Sequence, residues 1–68
     1  MIEWEDEEGN RVIKGDDGWF YPQKYDANME DFVSYMDKHD NEIRYQHKRD
    51  AIEHAQHGKA PHPYFRHI

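Results

Sequence analysis

The sequence has no cysteine, no leucine and no threonine, and its one serine is Ser34. Without cysteine there is no disulfide to staple a small fold, and no thiolate to act as nucleophile or zinc ligand. With a lone serine and no adjacent histidine, nucleophilic catalysis is poorly supplied, and a solvated helix-face hydroxyl is the expected role of Ser34. Glycine is sparse as well. Gly15-Asp16-Asp17-Gly18 sets carboxylates where a phosphate loop needs bare backbone, so it reads as a turn. No run approaches the roughly 20 apolar residues of a membrane span. The start, Met1-Ile-Glu-Trp-Glu-Asp-Glu-Glu, lacks the basic region and apolar stretch of a signal peptide. A cytoplasmic chain without membrane contact is therefore expected. A chain of 68 residues also leaves little room for a water-excluding pocket of several hundred Å³, so no enzyme is expected.

What is present is aromatic and charged. Ten aromatic residues (Trp4, Trp19, Phe20, Tyr21, Tyr25, Phe32, Tyr35, Tyr45, Tyr64 and Phe65) must build the core with a few Ile, Val and Met. Each aromatic buries about 150–250 Å², so few are needed. The length fits one domain over residues 1–68, and such a chain buries only about 60% of its unfolded surface. A partner or a second copy would add burial, which leaves a homodimer open.

The pattern predicts an α+β fold. Ile2 and Trp4 alternate with Glu3 and Glu5, Arg11–Lys14 follows a Gly9-Asn10 turn, and Trp19–Tyr21 follows Gly18 and ends at Pro22. These runs give a three-stranded antiparallel meander over about residues 2–22. Met29, Phe32, Val33 and Met36 recur at helical spacing behind Asn28, a good N-cap, and predict a helix over about 28–38. A second helix is expected over about 41–57, closed by Gly58, with Tyr45, Ala51, Ile52 and Ala55 on one side. The alternative for its first part is a short strand over Glu42–Gln46, since Ile43 and Tyr45 also alternate. Residues 59–68, with Pro61 and Pro63, read as an extended tail. Tyr64, Phe65 and Ile68 there would anchor it to the domain, or present an aromatic peptide to a partner's groove.

Charge is segregated. Residues 1–40 hold twelve acids against four Lys and Arg, which is −8, whereas residues 41–68 hold three acids against five bases, which is +2, and five of the six histidines. The net charge of −6 argues against direct nucleic-acid binding, which requires clustered Lys and Arg. The basic set Lys48, Arg49, Lys59 and Arg66 is too small to overcome it. The acids are the best lead. Glu3 and Glu5 stand about 6.6 Å apart on one strand face. Asp6, Glu7 and Glu8 extend the patch into the turn, Asp16 and Asp17 approach from the second turn, and Glu30 and Asp37 share a helix face. Rows of carboxylates at such spacings imitate a phosphate backbone and attract proteins that present Lys and Arg to DNA or RNA. The competing explanation is a solubilising surface. On the second predicted helix, His47, Asp50, His54 and His57 are spaced +3, +4 and +3, a stripe able to hold a transition metal, although a solvated polar face is the commoner outcome.

The expected function is thus a small acidic non-enzymatic protein without a cofactor. It binds and inhibits or modulates a basic, nucleic-acid-handling host protein, in the manner of many tiny phage and mobile-element products. The alternatives are a regulatory module that binds metal or nucleic acid through its His-rich half, and a structural subunit of a larger complex.

Overall fold

Four strands separated by tight turns form a single antiparallel sheet in the computed structural model, which describes residues 1–59. They are β1 (Ile2–Glu5), β2 (Asn10–Lys14), β3 (Phe20–Asp26) and β4 (Asp31–Ser34), in the order β1-β2-β3-β4. One helix, α1 (Lys48–His57), packs against β2 and β3 from one side. The α+β class and the N-terminal meander are as the sequence indicates. The sheet has a fourth strand, and Ala60–Ile68, with most of the expected tail, lies outside the described residues.

The strands take the register that buries one face. Val12 pairs with Pro22 and Lys14 with Phe20, which turns Val12, Pro22 and Phe20 towards α1. Pro22 does not end β3. Its carbonyl accepts from the Tyr35 N–H at 3.4 Å, so its missing donor faces the edge where β4 has already stopped, and the ladder to β2 is intact. In β1 the pairs Ile2–Ile13 and Trp4–Val12 leave Glu3 as an extra residue in a bulge. The bulge places Ile2 and Trp4 on opposite faces, where strict alternation would set them together. Trp4 then packs on the core, and Ile2 is 48% exposed on the helix-free face.

The helix expected over 28–38 is instead the β3–β4 hairpin followed by an extended segment. Asn28 donates its N–H to Asp26 Oδ1, Met29 N–H to the Asp26 carbonyl, and Glu30 takes a left-handed φ of 54°. This closes a turn, and the chain returns as β4, with Tyr25 against Phe32 edge-to-face at 5.4 Å between ring centroids. Met29 and Met36 are 66% and 49% exposed, so the helical spacing of apolar residues marks no buried face.

The helix expected over 41–57 begins only at Lys48. Residues 41–45 are extended. Met36 bridges Glu42, Ile43 N–H donates to the Tyr35 carbonyl at 2.8 Å, and Tyr45 and Phe20 exchange both backbone bonds. Alternation there sends Ile43 and Tyr45 into the core and Glu42 and Arg44 to the other face. Helix α1 ends where expected, at Gly58, whose φ of 72° lets its N–H reach the His54 carbonyl at 2.7 Å. The core consists of Val12, Pro22, Ile43, Tyr45, Ala51 and Ala55, with Trp4, Phe20, Tyr35 and Ile52 packed around it. The two alanines let α1 approach the sheet closely.

Candidate functional site

A meander sorts its turns by end. The β1–β2 and β3–β4 turns lie at one end of the sheet, and Tyr25 N–H bonded to the Gly9 carbonyl at 2.7 Å draws them side by side. This end gathers Asp6, Glu7, Glu8, Asp26, Glu30 and Asp31. Glu7, Glu8, Glu30 and Asp31 are exposed, and among the described residues none of them has a basic side chain within ion-pair distance. Asp16 and Asp17 sit in the β2–β3 turn at the opposite end, about 16 Å away along a five-residue strand. Of the nine acids singled out from the sequence, Glu7, Glu8 and Glu30 therefore share one exposed end with Asp6. Glu3 stands in the bulge, and Glu5, opposite Arg11, lies on the helix-free face. Asp37 occupies a fourth turn, over residues 37–41, so the helix face expected to join it to Glu30 does not form.

Three of these carboxylates serve the turns themselves. Asp6 Oδ1 accepts from the N–H groups of Glu8 at 2.9 Å and Asn10 at 3.0 Å, and Asn10 Nδ2 donates to Asp6 Oδ2. These bonds, the Asn10 side chain first, hold the Asp6 carboxyl below its usual pKa. Asp37 repeats the device, accepting from the N–H groups of His39 at 2.8 Å and Asn41 at 3.0 Å. Both turns carry a left-handed residue at the fourth position, Gly9 (φ 87°) and Asp40 (φ 63°). Asp17 accepts from the Tyr21 hydroxyl, from Trp19 N–H and from Arg44 at 3.1 Å. The hydroxyl leads in lowering the Asp17 pKa, and the same bond raises that of Tyr21.

The histidine stripe does not assemble. His47 lies outside α1 as its N-cap, with φ −112°. His54 is 3% exposed and faces the core, its Nδ1 2.7 Å from the Tyr45 hydroxyl and its ring centroid 4.6 Å from that of Tyr35. The +3, +4, +3 spacing treats imidazole as polar and sets His54 with His57 on one solvated face, whereas Ala51, His54 and Ala55 form the buried face. Asp50 lies on the first turn of α1, 3.9 Å from Arg49. Among the described residues no three His, Asp or Glu side chains gather closely enough to hold a metal ion. Ser34 is on β4, not a helix, and its Oγ accepts from Gln23 Nε2 at 3.1 Å. No helix of the described residues is long and apolar enough to cross a membrane.

The sheet face away from α1 was not singled out from the sequence. Arg11 stacks on Phe32 at 3.8 Å and bonds Gln23 at 2.7 Å, and Arg44 stacks on Trp19 at 4.3 Å while bound to Asp17. Tyr25, at 44% exposure, Ile2 and Met36 remain open beside them. Strand alternation in the 41–45 segment is the signal that could have found this face. No family model matches the chain, and searches among curated proteins and solved structures give no match.

Proposed function

We propose that the chain is a small, non-enzymatic binding protein that docks on a basic, nucleic-acid-handling host protein through its acidic end and inhibits or modulates it. The observation that carries this reading is the adjacency of the β1–β2 and β3–β4 turns, which concentrates Glu7, Glu8, Glu30 and Asp31 at one exposed tip. Carboxylates fixed in this way present a negative field without first having to order a loop, because the Asp6 and Asp26 side chains already bond the backbone of their own turns. A partner that binds DNA or RNA through Lys and Arg meets in this tip a substitute for phosphates. A cytoplasmic location goes with such a partner.

Capture from the source cell tests the proposal. The full chain should recover a basic, nucleic-acid-binding protein that added duplex DNA elutes. The chain carrying Glu7→Lys, Glu8→Lys, Glu30→Lys and Asp31→Lys should recover at least about tenfold less. Capture indifferent to DNA and to the four reversals would contradict it.

A further inference from the structure

The sheet face opposite α1 carries two open hollows that share Glu42. One, of about 410 Å³, lies over Ile13 and Tyr21 and is rimmed by Asp16, Asp17 and Glu42. The other, of about 750 Å³, lies over Gln23, Phe32 and Met36 and is rimmed by Asp40 and Glu42. The first has Ile13 and Tyr21 in its floor, and the second mixes Phe32, Val33 and Met36, the last 49% exposed, with Gln23 and Ser34, which are hydrogen-bonded to each other. Asp16, Asp40 and Glu42 have no basic side chain within ion-pair distance among the described residues. Among the described residues, the two arginines of this face are already engaged, Arg11 with Gln23 and the Phe32 ring, Arg44 with Asp17 and the Trp19 ring. What remains available is therefore apolar patches, Ile13 with Tyr21 and Phe32 with Met36, interrupted by amide and hydroxyl groups and edged by carboxylate.

We infer that this face binds a peptide segment in which apolar side chains stand next to Lys or Arg. The apolar groups cover Tyr21, Phe32 and Met36, and the cations reach Asp16, Asp40 and Glu42. Charge complementarity selects this occupant. A second copy seated by a two-fold axis would bring a second set of the same carboxylates into the interface and no uncommitted cation from the described residues of this face, which costs free energy between chains of net charge −6. A nucleic acid would bring phosphates to the same rim and find, among the described residues of this face, no uncommitted arginine. The inference goes beyond the acidic end, since the face and that tip share no residue.

A phage-displayed library of random twelve-residue peptides, panned on the immobilised full chain, tests it. Enriched peptides should pair Lys or Arg with apolar residues. The most enriched one, made synthetically, should bind Met36→Lys and Glu42→Lys variants at least tenfold more weakly, while the variants keep the wild-type thermal midpoint. Glu7→Lys with Glu8→Lys should leave its affinity within about twofold. An absence of enrichment, enrichment of neutral or acidic peptides, or binding indifferent to Met36 and Glu42 would overturn the inference. So would a dimer in sedimentation equilibrium that Met36→Lys dissolves, or a single-stranded oligonucleotide that displaces the peptide. Loss of binding through Glu7 and Glu8 alone would overturn this face and leave the acidic-end reading standing.

Discussion

The Tyr45 hydroxyl and His54 Nδ1 meet at 2.7 Å inside the core, one from the extended segment after the 37–41 turn and one from α1. A buried ring nitrogen left without this partner would lose a hydrogen bond that water cannot replace. Tyr45→Phe should therefore cost about 1–3 kcal/mol, read as a lower urea midpoint. Burial, and then the Asp50 charge, push the Tyr45 pKa up to about 12 from 10.0. The folded state holds that proton more tightly than the unfolded chain does. Stability should thus fall as pH rises from about 10 through about 12, and Tyr45→Phe should flatten part of that slope. Asp6 and Asp17 act at the other limit. Their pKa values lie below 3.8, so their contribution is present above that value and is lost as pH falls through their folded pKa values. Thermal midpoints measured from pH 5 down to pH 2 should fall, and less steeply in Asp6→Ala. None of this pairing was legible in the sequence. Histidine counts as polar in any periodicity, and only the docking of α1 on the sheet shows that His54 faces inward.

At the scale of elements, the strongest signals held and the ambiguous ones gave way to tertiary structure. Alternation and turn residues located β1 to β3, and Gly58 marked the end of α1. The β3–β4 hairpin was hidden because Met29, Phe32, Val33 and Met36 meet the helical period by chance, and two of them face solvent. One signal was available. Asp6-Glu-Glu-Gly-Asn10 recurs as Asp37-Lys-His-Asp-Asn41, the same five-residue turn with Asp at its first position and Asn at its last. It implies extended chain on both sides of residues 37–41. Gly9→Ala in the first copy should destabilise by about 1–2 kcal/mol, because φ is 87° and the new Cβ would stand 3.2 Å from Tyr25 Cβ. The start of α1 was obscure for a physical reason: His47 makes no side-chain cap bond. His47→Ser should supply one and raise the unfolding free energy by about 0.5–2 kcal/mol, measured by denaturant titration.

For the whole molecule, the acidic half of the sequence becomes two separate features, since a meander alternates the ends of its turns. Glu7, Glu8, Glu30 and Asp31 form the exposed tip, whereas Asp17 at the far end is paired with Arg44 and accepts a hydrogen bond from Tyr21. The sequence showed the amount of charge but could not show that Asp26 and Asp31, not Asp37, complete the tip. Such a concentration should steer association, and steering acts over the Debye length, which shrinks from about 10 Å at 0.1 M salt to about 3 Å at 1 M. The most direct test is the association rate of the full chain with its captured partner across that salt range, for the wild type and for the variant reversed at Glu7, Glu8, Glu30 and Asp31. A wild-type rate that falls at least about tenfold with salt, beside a slower and nearly salt-independent rate in the variant, is expected. Equal rates for the two proteins, unchanged by salt, would contradict the role assigned to the acidic end.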